Sequence, residues 1–277
     1  MLLQSTEISL TEQLDAPYNV PDEAIRFYRE NGYVKLKNVL SPDVLDHYGP
    51  IITDLVIRLN TLTKPMEERT TYERAFLQIM NLWTQDETAR AFVFSKRLAK
   101  IATDLMGVEG VRLYHDQALY KEPSGGITPW HADQFYWPLA TPHTVTVWIP
   151  LQETPMDMGP LAFAEKSQRV EIGRDLEISD ESEKVLADEL QRMNFRVHDT
   201  PFELGEVSFH AGWTFHRAGP NTSSAARKVM TMIYMDKDQR IVEPRNRYQQ
   251  NDWASWLSNW PVGEKPEGPL NPVLFSY

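Results

Sequence analysis

The chain has no cysteine among its 277 residues. That absence excludes disulfides, thiolate nucleophiles and cysteine-ligated iron–sulfur clusters. No apolar run approaches the ~18 residues of a membrane-crossing helix, so no span is expected. Positive charge is scarce: 28 Lys and Arg stand against 39 Asp and Glu, a net charge of −11. An acidic chain without a local basic patch repels a phosphate backbone, so nucleic acid is not an expected partner. Internal repeats and low-complexity segments are also missing. Residues 1–5 show no basic segment leading into an apolar run, and residues 274–277 are not a peroxisomal tripeptide. The expectation is a soluble cytoplasmic enzyme of unread oligomeric state.

Apolar and aromatic residues, by contrast, are plentiful. Hydrophobic residues make up 42%, with 8 Trp, 11 Tyr and 11 Phe. That suffices for a sizeable core and leaves aromatics for the walls of a pocket. The length suits one domain, since β-rich domains often reach roughly 200–250 residues undivided. Within it, 1–20 reads as an arm, 21–107 as helical support, 108–236 as a jelly-roll core and 237–277 as a C-terminal extension. An insert over about 170–200 interrupts the core.

The helical part carries its own punctuation. Residues 21–30 place Ala24, Phe27 and Tyr28 on one face and stop at Gly32. Residues 33–40 alternate as a strand does. Ser41-Pro42 offers a capping hydroxyl and a proline at the first helical position, ahead of Leu45, Tyr48, Ile52, Leu55 and Leu59. Helical spacing returns over 87–94 and 96–106. Short β-rich runs follow at 111–120, 127–136, 144–150, 160–164, 206–210, 213–217 and 226–235. Such runs, broken by turn residues, predict a sandwich or jelly roll. The acidic helix expected over 178–193 reads as a solvated surface element.

Chemistry gathers around Trp130-His131-Ala132-Asp133-Gln134. In a strand, residues two apart share a face, so His131 and Asp133 can present an imidazole and a carboxylate together. A third ligand must come from elsewhere. His216 lies 85 residues further on, just before Gly219-Pro220-Asn221, and is preferred over His210, which has matching parity. Two His and one carboxylate leave octahedral positions open for O₂ and a chelating co-substrate, as iron(II) oxygenases require. An HxD pair alone is weak evidence. His47, His115, His143 and His198 read as hydrogen-bonded core or surface residues. Arg227 follows His216 by 11 residues and shares a strand face with Val229, Thr231 and Ile233. A guanidinium pointing into an apolar cavity needs an anion, and a carboxylate held as a bidentate pair fits.

These pieces, in this order, resemble the phytanoyl-CoA dioxygenase (PhyH-like) family of iron(II)/2-oxoglutarate oxygenases. The resemblance runs over about 22–236. It begins with Phe27-Tyr28-Arg29-Glu30-Asn31-Gly32-Tyr33-Val34 and Asp116-Gln117-Ala118-Leu119-Tyr120-Lys121-Glu122-Pro123. It continues through Thr128–Gln134, Val147-Trp148-Ile149-Pro150-Leu151 and Gly159-Pro160-Leu161, and ends with Gly205 through His216 to Arg227. It implies a mainly β fold with added helices: a double-stranded β-helix (cupin-like jelly roll) flanked by N-terminal helices. It implies iron(II) held by His131, Asp133 and His216, and 2-oxoglutarate anchored by Arg227, with Lys121, Gln117 and Trp148 lining the co-substrate pocket. Two departures stand out. Ala218 replaces a hydroxyl-bearing residue that many relatives carry, and Glu165-Lys166-Ser167-Gln168 replaces their Gly-Ser-His loop.

The implied reaction consumes O₂ and 2-oxoglutarate, releases succinate and CO₂, and oxidises a small-molecule metabolite, hydroxylation being the first expectation. Halogenating relatives have a small residue where this chain has Asp133, so desaturation and ring formation are the other outcomes. Two rival classes are a zinc hydrolase, which also uses two His and a carboxylate, and a catalytically inert jelly-roll binding protein. Tyr136, Trp137 and Trp213 are the expected aromatic substrate walls, with core packing as the alternative.

Overall fold

The structure is a computed structural model and describes residues 9–277. The beginning of the expected arm, with the start at 1–5, lies outside the described residues. The helices are α1 (Leu10–Asp15), α2 (Asp22–Asn31), α3 (Pro42–Leu59), α4 (Thr71–Ala75), α5 (Glu87–Val93), α6 (Lys96–Met106), α7 (Asp180–Arg192) and α8 (Arg247–Ser255). The first strands are β1 (Tyr33–Leu36), β2 (Leu77–Met80), β3 (Gly110–Lys121), β4 (Thr128–His131), β5 (Thr144–Pro150) and β6 (Leu161–Ala164). The chain then adds β7 (Val197–Asp199), β8 (Val207–Ala211), β9 (His216–Ala218), β10 (Arg227–Asp236) and β11 (Val273–Ser276).

The strands form two antiparallel sheets facing each other as a double-stranded β-helix. The larger runs β1-β8-β5-β10-β3-β11, with β2 also paired to β3; the smaller runs β4-β9-β6-β7. Period-two alternation explains how the large sheet serves two cores at once. Val145, Val147, Ile149, Val207, Phe209, Met230, Met232 and Tyr234 join the outer cluster with α3, α5 and α6. The alternate residues, among them Thr146, Trp148, His210, Arg227 and Thr231, line the cavity between the sheets.

Helix boundaries follow their signals. Ser41 caps α3, its hydroxyl accepting from the Val44 amide at 3.4 Å, with Pro42 opening the first turn. Gly32 ends α2 with φ of 84°. A side chain there would meet Thr214 Oγ1 and Gln168 Oε1, so the position requires glycine twice over. Among the described residues no helix is long and apolar enough to cross a membrane.

Some expectations change. The strand expected over 127–136 ends at His131, and Asp133–Tyr136 form a 3₁₀ turn instead. The reason is tertiary: the Gln134 amide donates to Gly212 O at 2.9 Å, which turns the chain out of the small sheet. The strand expected over 33–40 stops at Leu36. Helix α7 is not only a solvated element. It buries Leu186 and Leu190, and Glu183 accepts from the Trp130 amide at 2.8 Å and from Arg217 Nη1 at 2.6 Å. The insert therefore braces both strands that carry the paired histidines. Helices α4 and α8 and strand β11 were not expected from the sequence; α4 is opened by a Thr70–Glu73 capping box and α8 by an Asn246 cap.

Candidate metal centre and substrate cavity

His131 closes β4 and His216 opens β9, and the two are register partners across the small sheet. Their rings lie 4.1 Å apart, centroid to centroid. Asp133 stands past the end of β4, but the intervening Ala132 is extended at φ −124° and ψ 130°. The same-face relation of residues two apart therefore survives the loss of the strand. Asp133 Oδ1 sits 3.6 Å from His131 Nε2 and 3.6 Å from His216 Nε2. The three donor atoms all lie within 4.8 Å of one another. Such spacing suits three ligands at about 2.0–2.2 Å from one shared ion.

The hydrogen bonds behind the donors prepare them for a metal. His131 Nδ1 donates to Pro129 O at 2.8 Å, and His216 Nδ1 donates to Thr214 O at 2.9 Å. Each bond places the proton on Nδ1 and leaves the Nε2 lone pair directed at Asp133. The second oxygen of Asp133 is occupied: Thr146 Oγ1 donates to Oδ2 at 2.8 Å and His210 Nε2 at 3.2 Å. His210 thus grips the carboxylate from behind, while His216 joins His131 in front. Burial opposes ionisation of Asp133, but His216, His131 and His210 outweigh it and hold the carboxyl well below its usual range. Burial, with His131 and His210 nearby, pushes His216 well below the ordinary imidazole value, so its nitrogen remains a lone-pair donor. Imidazole nitrogens with a lone pair turned inward and an ionised carboxylate are the donor set that a divalent metal needs.

Arg227 supplies the second half of the site. It is 2% exposed, with its guanidinium 5.4 Å from the Trp148 ring. Nη1 donates to Gly159 O, while Nε is buried without a partner. Burial alone lowers it to about 9. Opposite Arg227 in the register stands Lys121, fully buried, its ammonium donating to Gly126 O and to Thr128 Oγ1 at 3.4 Å. Burial first, then Arg227 and Arg217, pushes Lys121 down to about 6. Among the described residues no carboxylate pairs with either cation. Buried cations without a counter-charge are costly. A dicarboxylate seated here removes that cost, so the residues present fit the co-substrate.

One cavity of about 510 Å³ joins these parts, lined by the triad, Arg227, Gln117, Trp148, Tyr136 and Trp137. Gln117 accepts from Gln78 Nε2 at 2.6 Å. Lys121 stands behind this lining, against Thr128, and does not reach the cavity itself. Trp213 lies in a different, outer cavity beneath Arg174, whose guanidinium is 4.5 Å from its ring. His115 is buried, as expected of a core residue, but it faces the site. It lines the cavity, is 5% exposed, and has no partner on Nδ1. Strand parity with Gln117 is the signal that places it there. Tyr72, Tyr248, Asp252 and Trp256 also face the cavity from α4 and the α8 region. Nothing in their local sequence marks them.

The sequence profile of the family described as Phytanoyl-CoA dioxygenase (PhyH) matches residues 28–229. A probable alpha-ketoglutarate-dependent hypophosphite dioxygenase from Stutzerimonas stutzeri is 24% identical over 234 residues, covering 78% of this chain and 79% of its own. The structure of SnoK, a non-heme alpha ketoglutarate dependent carbocyclase from nogalamycin biosynthesis, superposes with a TM-score of 0.77 at 26% identity. That match covers 94% of this chain and 100% of SnoK. The epimerase SnoN, in complex with Fe3+, alpha ketoglutarate and nogalamycin RO, gives a TM-score of 0.77 at 21% identity, covering 92% and 98% of the two chains.

Proposed function

The chain belongs to the phytanoyl-CoA dioxygenase (PhyH) family, and from that membership we propose that it is an iron(II)- and 2-oxoglutarate-dependent oxygenase acting on a small organic molecule. The observation that carries the proposal is one cavity holding both the triad and a buried guanidinium without a counter-anion. A zinc hydrolase requires the triad but has no use for that cation.

Iron with 2-oxoglutarate and O₂ supplies an oxidant able to remove a hydrogen atom from an unactivated carbon. The protein's own work is positioning and exclusion. His131, Asp133 and His216 hold the metal on one side and leave the cavity side open. Thr146 and His210 keep Asp133 from rotating, so one oxygen always faces the ion. Arg227 receives the distal carboxylate of 2-oxoglutarate, with Trp148 as the wall beside it and the apolar surroundings strengthening the pair. Tyr136 and Trp137 line the same cavity, where they would orient the substrate carbon and keep water away.

Hydroxylation is the reaction we favour. The likeness to the carbocyclase SnoK over most of both chains supports a second reading, oxidative ring closure. Mass spectrometry separates the two, because hydroxylation adds an oxygen and ring closure removes two hydrogens. The test of the activity is anaerobic loading with iron(II) and 2-oxoglutarate, then exposure to O₂ against a metabolite library. Succinate should form in amounts that track substrate, iron and O₂, and should vanish in His131→Ala. Turnover of a substrate in strict absence of O₂ would instead identify a hydrolase.

A further inference from the structure

The cavity has a second end that the co-substrate does not use. One cross-strand row of the large sheet runs His115, Ile233, Thr146, His210. Thr146 and His210 hold Asp133, so His115 lies level with the metal site. It stands two strands from Thr146, roughly 10 Å at ordinary strand spacing. Arg227 is six residues from Ile233 along β10, roughly 20 Å away. The substrate end is therefore the region around His115, away from the guanidinium.

Its chemistry is one-sided. Of the residues lining the cavity, Arg227 is the single Lys or Arg. Two carboxylates stand at the other end. Glu177 is paired with Arg247 at 3.3 Å, whereas Asp252 has no cationic partner among the described residues. Asp252 Oδ2 accepts from Tyr114 Oη at 3.0 Å, and the same Tyr114 packs against His115 at 5.2 Å between ring centroids. Trp256, one turn beyond Asp252 on the same side of α8, meets the His115 ring at 5.5 Å. His115 is buried with Nδ1 lacking any partner and lines the cavity.

Burial pushes Asp252 up to about 7 despite the Tyr114 hydrogen bond, and pushes His115 down to about 4 despite the pull of Asp133. The end thus offers a desolvated carboxylate without a cation and a neutral imidazole with a free lone pair. Tyr72 and Trp256 line the cavity with them, Trp256 against His115, while the Tyr248 face is already covered by Arg247, 4.6 Å from its ring. An anionic substrate would meet carboxylates here. A protonated amine would donate to Asp252 and His115 and lie against aromatic faces that attract cations.

Resting on the oxygenase reading above, we propose that Asp252 and His115 form the substrate-recognition subsite and that it takes the protonated amine of a ring-bearing substrate. The amine anchors one end of the molecule so that a carbon about one ring system away lies beside the metal.

The test uses the whole protein and three probes with one ring: naphthylmethylamine, naphthylmethanol and naphthoate. Calorimetric titration under argon, with iron(II) and 2-oxoglutarate present, should rank the amine at least about tenfold tighter than the alcohol, about 1.4 kcal/mol. Naphthoate should bind weakest. In Asp252→Asn, which keeps an acceptor for Tyr114, the amine's advantage should fall about tenfold while the alcohol is unaffected. Equal affinity for all three probes, a preference for naphthoate, failure of all three to bind, or uniform weakening in the variant overturns the proposal. Binding of 2-oxoglutarate to the iron-loaded protein, titrated separately, reports on the oxygenase reading alone, so the two can fail independently.

Discussion

Lys121 and Arg227 face each other across strands β3 and β10, two buried cations with no carboxylate paired to either among the described residues. Burial first, and the repulsion of Arg227 and Arg217 after it, push Lys121 down to about 6. A dicarboxylate bound by Arg227 should reverse this.

At pH 7.5 Lys121 is mainly neutral in the free protein. A carboxylate seated against Arg227 offsets the guanidinium charge that opposes protonation of Lys121 and raises its proton affinity, so binding takes up a proton. The sign follows: affinity should fall as pH rises from about 6 towards the raised value in the complex. Calorimetry in buffers of different ionisation enthalpy should show an uptake of up to ~1 proton. Lys121→Met should abolish the uptake, and Arg227→Ala should weaken 2-oxoglutarate by about 2–4 kcal/mol. Buffer-independent enthalpy in the native protein would rule out this coupling.

The two remaining histidines of the site should separate by metal affinity. His216→Ala removes a donor atom and should eliminate tight iron(II) binding. His210→Ala removes only a hydrogen bond to Asp133 Oδ2, and should weaken iron(II) by ~10–100-fold. Anaerobic metal titration of both variants checks the ranking. Equal losses would mean that His210 is itself a ligand.

Gly159 couples backbone shape to the placement of the Arg227 guanidinium. Its φ is 65°, an added Cβ would collide with Gly219 O, and its carbonyl receives Arg227 Nη1. Gly159→Ala should cost about 1–3 kcal/mol of stability. It should also raise the Kd for 2-oxoglutarate, while leaving metal affinity near native. Thermal unfolding and two titrations test this; metal and co-substrate weakening in parallel would point to general collapse.

Glu183 joins the insert helix to the metal strands through the Trp130 amide and Arg217. Glu183→Ala should destabilise the protein by about 1–3 kcal/mol and weaken metal binding a few-fold. Thermal melts with and without a divalent metal measure both. A melt identical to native would return α7 to the status of a solvated attachment.

Much of the architecture was legible because it rests on local periodicity. Ser41-Pro42 and Gly32 bounded their helices, and parity in β10 put Arg227, Thr231 and Ile233 on the face that lines the cavity. The HxD pair, the distal His and the permanent charge of Arg227 were readable for the same reason. Their spacing states which residues share a face. The strand expected through 133–136 was not, because the turn there depends on Gly212, a residue just past the end of β8 and far away in sequence. The place of His115 in the cavity lining was not readable, since only the cross-strand register puts it level with the metal donors.

The sequence alone determined the kinds of groups available: two histidines and a carboxylate at strand spacing, a guanidinium on an inward face, many aromatics and an excess of acid. Tertiary structure decided which of them meet. It set His216 in front of Asp133 and His210 behind it, sent Trp213 to another cavity, and brought Tyr72, Asp252 and Trp256 from distant segments into the cavity lining. The physical reason is range. Backbone periodicity fixes direction over a few residues, whereas convergence of segments a hundred residues apart depends on how sheets, caps and inserts pack together.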